Sequence, residues 1–407
     1  MQAFPWLERP THTMECVNPL PNRRTLAKSA LLGSASALFA SPLLAQSTTF
    51  NPQLIDPHSF GATGDGHTDD TAALQHAIDA AAEKGSAVYF PPGVYLTREL
   101  HVRPAVALTG IPTWNYSKAD GGSILRLASA DATCLLNLTD ARGATIHGLA
   151  LEGAHLGQNI HGIATARTAY GPHEDGFRID ACQIARFTGS GINLSHAWCF
   201  SVRHCEMMAN HGDGLTLRGW DAFILDNWFS GNGRAGFAAR DENASVTFTA
   251  NRVEWNHEEN MLVTGGDGYQ ITGNFFDRAG TIGIALRKNP QSESWNKGPC
   301  TQFSITGNFI KRSGKFAKPD TPDSAQILLD GSTGVTCTGN TLQSGRDDGD
   351  QGLWSPSYGI VVQGLENCVV ANNVLHDGAL RQLIVDNGGH KDGAILKDNP
   401  GRLLTTK

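Results

Sequence analysis

Asp213, Glu259, His211, His257 and Lys288 are the side chains whose types and spacing could carry chemistry together. They recur at matching places in successive segments. Gly191-Ile192-Asn193-Leu194, Gly214-Leu215-Thr216-Leu217, Gly236-Phe237-Ala238-Ala239, Asn260-Met261-Leu262-Val263 and Gly283-Ile284-Ala285-Leu286 align as one column. The position just before it reads Ser190, Asp213, Ala235, Glu259, Ile282, and His211 and His257 stand three residues before it. Further along, Ser195, Arg218, Arg240, Thr264 and Arg287 align, followed by Asp330, Gln363 and Asp386. If such segments stack as parallel strands about 4.8 Å apart, Asp213 and Glu259 lie about 9–10 Å apart. That is near the roughly 6.5–9.5 Å of two carboxylates that protonate a leaving oxygen and activate water in an inverting hydrolysis. A second chemistry is β-elimination, in which a base removes the proton beside a uronate carboxylate while a cation neutralises that carboxylate; His211, His257, Lys288 or an arginine could serve. Arg218, Arg240 and Arg287 can grip carboxylates in a bidentate fork, which suits a uronate polymer. Asp241-Glu242 and Glu258-Glu259 could hold Ca²⁺, since clustered carboxylates suit a hard cation, although no defined Ca²⁺ loop is present. The plain alternative is a solvated outer face on which charges are expected.

The elements that must position these residues are short strands in a repeat. Segments beginning at Phe177, Phe200, Ala222, Val246 and Tyr269 each open with a strand-like run and reach Cys182, Cys205, Asn227, Asn251 and Asn274. The column continues through Asn308, Asn340 and Asn373. A period in the low twenties, with two or three short strands and turns per unit, is that of one coil of a parallel β-helix. A leucine-rich framework is absent. Side chains alternate across a strand, so the apolar residues after the glycine column point inward and the arginine column points out. The asparagines read as a structural ladder of inward turn amides. Extra residues at about 165–175, 288–302, 311–324 and 342–357 interrupt the period, two after the outward strand and two before it, so each emerges beside the same face, and loops on a rigid scaffold commonly carry binding. They bring Tyr170, Trp295 and Trp354, which with Trp220 and Trp255 could wall a groove and stack on sugar rings.

An open solenoid end exposes unpaired strand and core, so it needs a cap. Leu74, Ala77, Ile78 and Ala81 have helical spacing within 69–84, and Gly85 can end that helix. Val88-Tyr89-Phe90 then starts a strand and Pro91-Pro92-Gly93 turns it. The runs Phe60-Gly61-Ala62-Thr63-Gly64-Asp65-Gly66-His67-Thr68-Asp69-Asp70-Thr71 and Val88-Tyr89-Phe90-Pro91-Pro92-Gly93-Val94-Tyr95 resemble the N-terminal cap and first coil of the pectate-lyase-like superfamily, in its rhamnogalacturonase/epimerase-type branch. The resemblance is close over roughly residues 55–100. It implies an all-β fold, a right-handed parallel β-helix with an N-terminal capping α-helix. It also implies a polysaccharide substrate, cut by a lyase or a glycoside hydrolase. The Asn-Thr-Asp, Asp-Asp, Gly-His-Gly and Arg-Ile-Lys set of the polygalacturonase branch is absent, so the reaction type stays open. So does a non-catalytic glycan-binding surface β-helix, monomeric or trimeric, as the alternative.

Asn22-Arg23-Arg24-Thr25-Leu26-Ala27-Lys28 followed by the apolar stretch to Ala45 reads as a twin-arginine export signal, cleaved near Ala45-Gln46. Residues 1–45 are thus expected to be signal and 46–407 one β-helix domain of about ten coils, periplasmic or secreted, with no membrane span after cleavage. The net charge of −7 argues against nucleic acid as partner. Seven cysteines remain beyond the signal with no CxxC spacing, so they read as small core residues rather than a metal or redox motif.

Overall fold

The computed structural model describes residues 54–113, 115 and 121–405. The Arg23-Arg24 signal lies outside the described residues. The chain winds as a right-handed parallel β-helix with three faces per coil. The column that opens with glycine begins the first face. In the middle coils the strand runs on through a bend into the second face, so Ile192–Arg203, Leu215–Leu225 and Phe237–Thr249 are each continuous. A turn at the asparagine column leads to the third face, a twelve-stranded sheet of very short rungs. The first four of these rungs precede the Cys182 coil, where the aligned column begins.

Inward side chains of all three faces merge in one continuous core, with Phe229, Phe248 and Phe276 stacked through successive coils. Each fully buried Phe or Leu contributes about 1.5–3 kcal/mol. The core extends along the axis rather than thickening, so every coil depends on its neighbours. The helix spans Thr71–Lys84 and ends at Gly85 in the left-handed conformation; Leu74, Ala77, Ile78 and Ala81 are buried in the same core. Asp70 precedes it, buried, accepting hydrogen bonds from the backbone N–H groups of Thr63 and Gly64. The motif Gly61–Asp70 is therefore a knot of turn contacts, consistent with a structural role for its acids.

The asparagine column is a hydrogen-bonded ladder. The N–H of Asn227 donates to Asn251 Oδ1, and the pattern passes through Asn274, Asn308, Asn340 and Asn373 to Asn399 at 2.9–3.1 Å. A second ladder, Asn210–Asn232–Asn256, runs along the next corner, where the chain enters the first face. Each member follows the end of its third-face strand by the same offset. Among the described residues the seven cysteines are free thiols, six of them buried and Cys199 partly open. No helix among the described residues is long and apolar enough to cross a membrane.

Candidate functional site

Parallel pairing turns the aligned columns into straight rows along the first face. Ser195 pairs with Arg218, Thr264 with Arg287, Arg287 with Asp330 and Asp330 with Gln363. Arg240 follows Ala239, which pairs with Leu217 and Val263. Between the rows runs a middle line of outward residues: Asn193, Thr216, Ala238, Leu262, Ala285, Leu328 and Val361. The floor is thus polar at its N-terminal end and apolar beyond Glu259, where Ile282, Ala285, Ala325, Leu328 and Val361 form a separate outer cluster with Leu262. The polar end includes His161, whose Nδ1 accepts from the Ser190 N–H at 2.9 Å and whose Nε2 lies 3.1 Å from the Asn193 amide. His161 and Asn193 escaped the sequence reading. Asn193 stands inside the aligned glycine column, and only its alternation outward marked it.

The two carboxylates are not equivalent, which corrects the expectation that both lie on the exposed surface. Asp213 is 1% exposed. Its oxygens take both Arg240 Nη atoms at 2.6 and 2.9 Å, the Thr216 hydroxyl at 2.7 Å and the Ala235 N–H at 3.0 Å. The residue faces outward, but Arg240 folds over it. Burial would raise its pKa; the Arg240 hydrogen bonds and charge outweigh that and hold it below the usual carboxylate value. Glu259 keeps 12% of its side chain open, with Arg287 Nη2 at 3.7 Å. Burial pushes its carboxyl above the usual value, against the pull of Arg287 and Arg240. Two carboxyls driven apart in this way are the pattern of an acid and a fixed anion in one site.

The arginine column is not a row of free forks. Arg218 binds Glu242 at 2.9 Å and lies 3.5 Å from Asp241. Arg240 holds Asp213 and comes within 4.0 Å of Glu258. Arg287 takes Asp323 at 2.8 Å. Asp241 also accepts from the Ser292 and Ser294 hydroxyls. The Asp241-Glu242 and Glu258-Glu259 pairs thus face protein cations and hydroxyls. No group of three or more His, Cys, Asp or Glu suited to a metal gathers among the described residues.

The four insertions form two walls, one past the outward strand and one ahead of it. Past the outward strand, the Tyr170 ring lies 3.8 Å from Trp220, and Trp295, 55% exposed, packs edge-on to Trp220 at 6.3 Å. Tyr170 Oη donates to the Glu242 carbonyl and Asn289 Nδ2 to that of Arg240, tying this wall to the floor. Ahead of the strand, Phe316 stacks on His257 at 4.6 Å, while Trp255 lies beneath Arg278 and Lys315. Trp354 carries Arg346 over its ring. Trp255 and Trp354 therefore present their faces to protein cations, unlike Trp220 and Trp295, which corrects the expectation of four equivalent stacking platforms. His211 stacks on His155 at 5.2 Å, and Lys288 Nζ lies 3.6 Å from Asp330.

Comparison with known proteins follows the fold. The family described as rhamnogalacturonase A/epimerase, pectate lyase-like matches residues 58–285, more than half of the chain. Depolymerase 1 of Klebsiella phage K5-2, specific for capsule K30/K69, is 31% identical over 160 residues, which is 36% of this chain and 19% of that protein. The chain therefore spans about a fifth of the length of the curated relatives it matches. The A-module of the Azotobacter vinelandii mannuronan C-5 epimerase AlgE6 superposes with a TM-score of 0.56 at 18% identity, covering 85% of this chain and 97% of that one. The enzymatically active domain of tailspike protein 2 from bacteriophage CBA120 gives 0.60 at 15% identity, covering 80% and 48%. At these identities the structural likeness concerns the fold.

Proposed function

The chain belongs to the rhamnogalacturonase A/epimerase, pectate lyase-like family, and from that premise we propose that it is an exported enzyme that hydrolyses an acidic polysaccharide in the first-face groove. The observation that carries the reading is the unequal carboxyl pair: Glu259, partly open with a raised pKa, beside Asp213, buried and ionised under Arg240. Glu259 stays protonated to a higher pH than an ordinary glutamate, so it can give its proton to the leaving glycosidic oxygen. Asp213 cannot reach water. It acts as a positioning residue that holds Arg240, and Arg240 with Arg287 sets a positive field beside the scissile bond. Water attacks the anomeric carbon and gives its proton to a second carboxylate, for which our candidate is Glu258, 3.4 Å from Arg234 and 4.0 Å from Arg240. Trp220 and Trp295 supply apolar ring faces along one wall. The depolymerase name of one relative supports a polysaccharide as substrate, and the arginines beside Glu259 support an acidic one.

Elimination has one observation in its favour. Arg240 and Arg287 both lie near Glu259, an arrangement that could also neutralise a uronate carboxylate while a base removes the adjacent proton. A panel of acidic and neutral polysaccharides separates the two. Hydrolysis releases reducing ends without the ultraviolet absorbance of an unsaturated product, and equal growth of both signals would assign a lyase. Export rests on the Arg23-Arg24 motif. Arg23→Lys with Arg24→Lys should retain the protein in the cytoplasm, and unchanged export would remove the twin-arginine route.

A further inference from the structure

The second face carries a concavity of about 530 Å³ on the same coils as the groove floor, lined among others by Arg178, Asp180, Ser201, Arg203, Asp221 and Phe223. Pairing places Arg178, Ser201 and Phe223 in one outward row and Asp180 and Arg203 in the next. Phe223 is 50% exposed although it sits at a strand position where its neighbours in the row are polar or charged. The acids of this hollow are engaged elsewhere: Asp180 takes His204 Nδ1 at 2.8 Å and lies 3.3 Å from His147, and Asp221 lies near the Cys199 thiol. Arg178 and Arg203, both exposed, have no carboxylate within ion-pair distance among the described residues. That is the reverse of the groove, where Arg218, Arg240 and Arg287 all face protein carboxylates.

We infer that this hollow is a second, non-catalytic binding site for an acidic sugar of the same polysaccharide, with the sugar ring on Phe223 and its carboxylate on Arg178 and Arg203. The chemistry matches part for part. A flat apolar ring takes a sugar face, and unpaired guanidinium forks recognise a carboxylate through two parallel hydrogen bonds. The volume falls in the range of small-ligand clefts, roughly 300–1,000 Å³. Position gives the site a use. Asp221 borders the hollow and directly follows Trp220, whose ring belongs to the groove wall, so a chain leaving the groove over that corner meets the hollow next. A polymer held at both places stays bound after one cut, because the second contact acts at high effective concentration.

The inference rests on the acidic polysaccharide proposed above, so its test separates the two. The full chain carrying Glu259→Gln, which binds without consuming the polymer, is titrated with polygalacturonate and alginate, and with neutral dextran as control. Phe223→Ala and Arg203→Ala are compared in that background and in the active enzyme, with melting measured alongside. The expected result is about a tenfold weaker binding of an acidic polymer in each variant. Turnover of oligosaccharides too short to leave the groove should stay unchanged. If an acidic polymer is cut normally and its binding is indifferent to Phe223 and Arg203, the second site is wrong and the enzyme reading stands. If the active enzyme neither binds nor cuts any acidic polymer, the substrate proposal fails and this site falls with it.

Discussion

Asp213 and Glu259 come from the same sequence column, yet the fold gives them opposite fates. The column was legible because Gly214 and Asn260 align; the fates were not, because they depend on which neighbour folds over each carboxylate. Arg240 stands on the coil after Asp213 and reaches back to it with both Nη atoms. Removing Asp213 leaves a half-buried guanidinium without its partner, so Asp213→Ala should cost about 3–5 kcal/mol in chemical denaturation. An effect below 1 kcal/mol would mean that the pair is loose in solution. Protonation tests the same contrast. The lowered pKa of Asp213 contributes stability that is present above the unfolded aspartate value and lost as pH falls through the folded one. Glu259 has the opposite sign: its raised pKa costs stability as pH rises from the unfolded glutamate value through the folded one. Glu259→Gln should therefore melt with wild type in acid and above it at neutral pH. A variant that melts lower at neutral pH would show that Glu259 is ionised and well paired.

The ladders belong to the scale of the element. Each asparagine satisfies the backbone N–H of the preceding coil's asparagine, its side-chain amide, and a carbonyl of the strand before, as Asn274 does for Asn251 and for the Phe248 carbonyl. Asn274→Ala removes the acceptor that Asn251 uses twice and the donor that Phe248 uses once. At about 1–3 kcal/mol for each buried group left unsatisfied, the loss should be several times that of an exposed change such as Gln270→Ala on the same coil, read by urea unfolding. Equal losses would make the ladder incidental. This column and the capping helix were readable from sequence, since both rest on local spacing and residue type. The Asn210–Asn232–Asn256 ladder sits in the same segments but was not legible, because its constant offset shows only once the third-face strands are paired. That two insertions follow the outward strand and two precede it was legible in the spacing; the contacts that anchor each wall were not, because they depend on how Tyr170 crosses to the Glu242 carbonyl and Phe316 to His257, a few coils away.

At the scale of the whole molecule, a parallel solenoid converts repeated sequence into straight rows, and the rows give the groove a direction. Its floor passes from His161, Asn193 and Thr216, through the carboxylates, to Leu262, Ala285 and Leu328. The fold class, the coil period and the face that carries the charged columns were all legible, because each follows from alternation and stacking. The change of polarity along the floor was equally present in the sequence, but reading it requires the pairing of coils separated by the insertions. An acidic chain held among these arginines should bind more weakly as salt rises, since the Debye length shrinks to about 8 Å at physiological ionic strength and about 3 Å at 1 M. Binding indifferent to salt would point to stacking on Trp220 and Trp295 as the main contact. The most direct test of the account is the turnover of Glu259→Gln on a polysaccharide that the wild-type enzyme is shown to cut. The account predicts that kcat falls by about 10²–10⁴-fold, the usual worth of a positioned proton donor, with melting at neutral pH no lower than wild type. Turnover within a few-fold of wild type in a folded Glu259→Gln protein would contradict it.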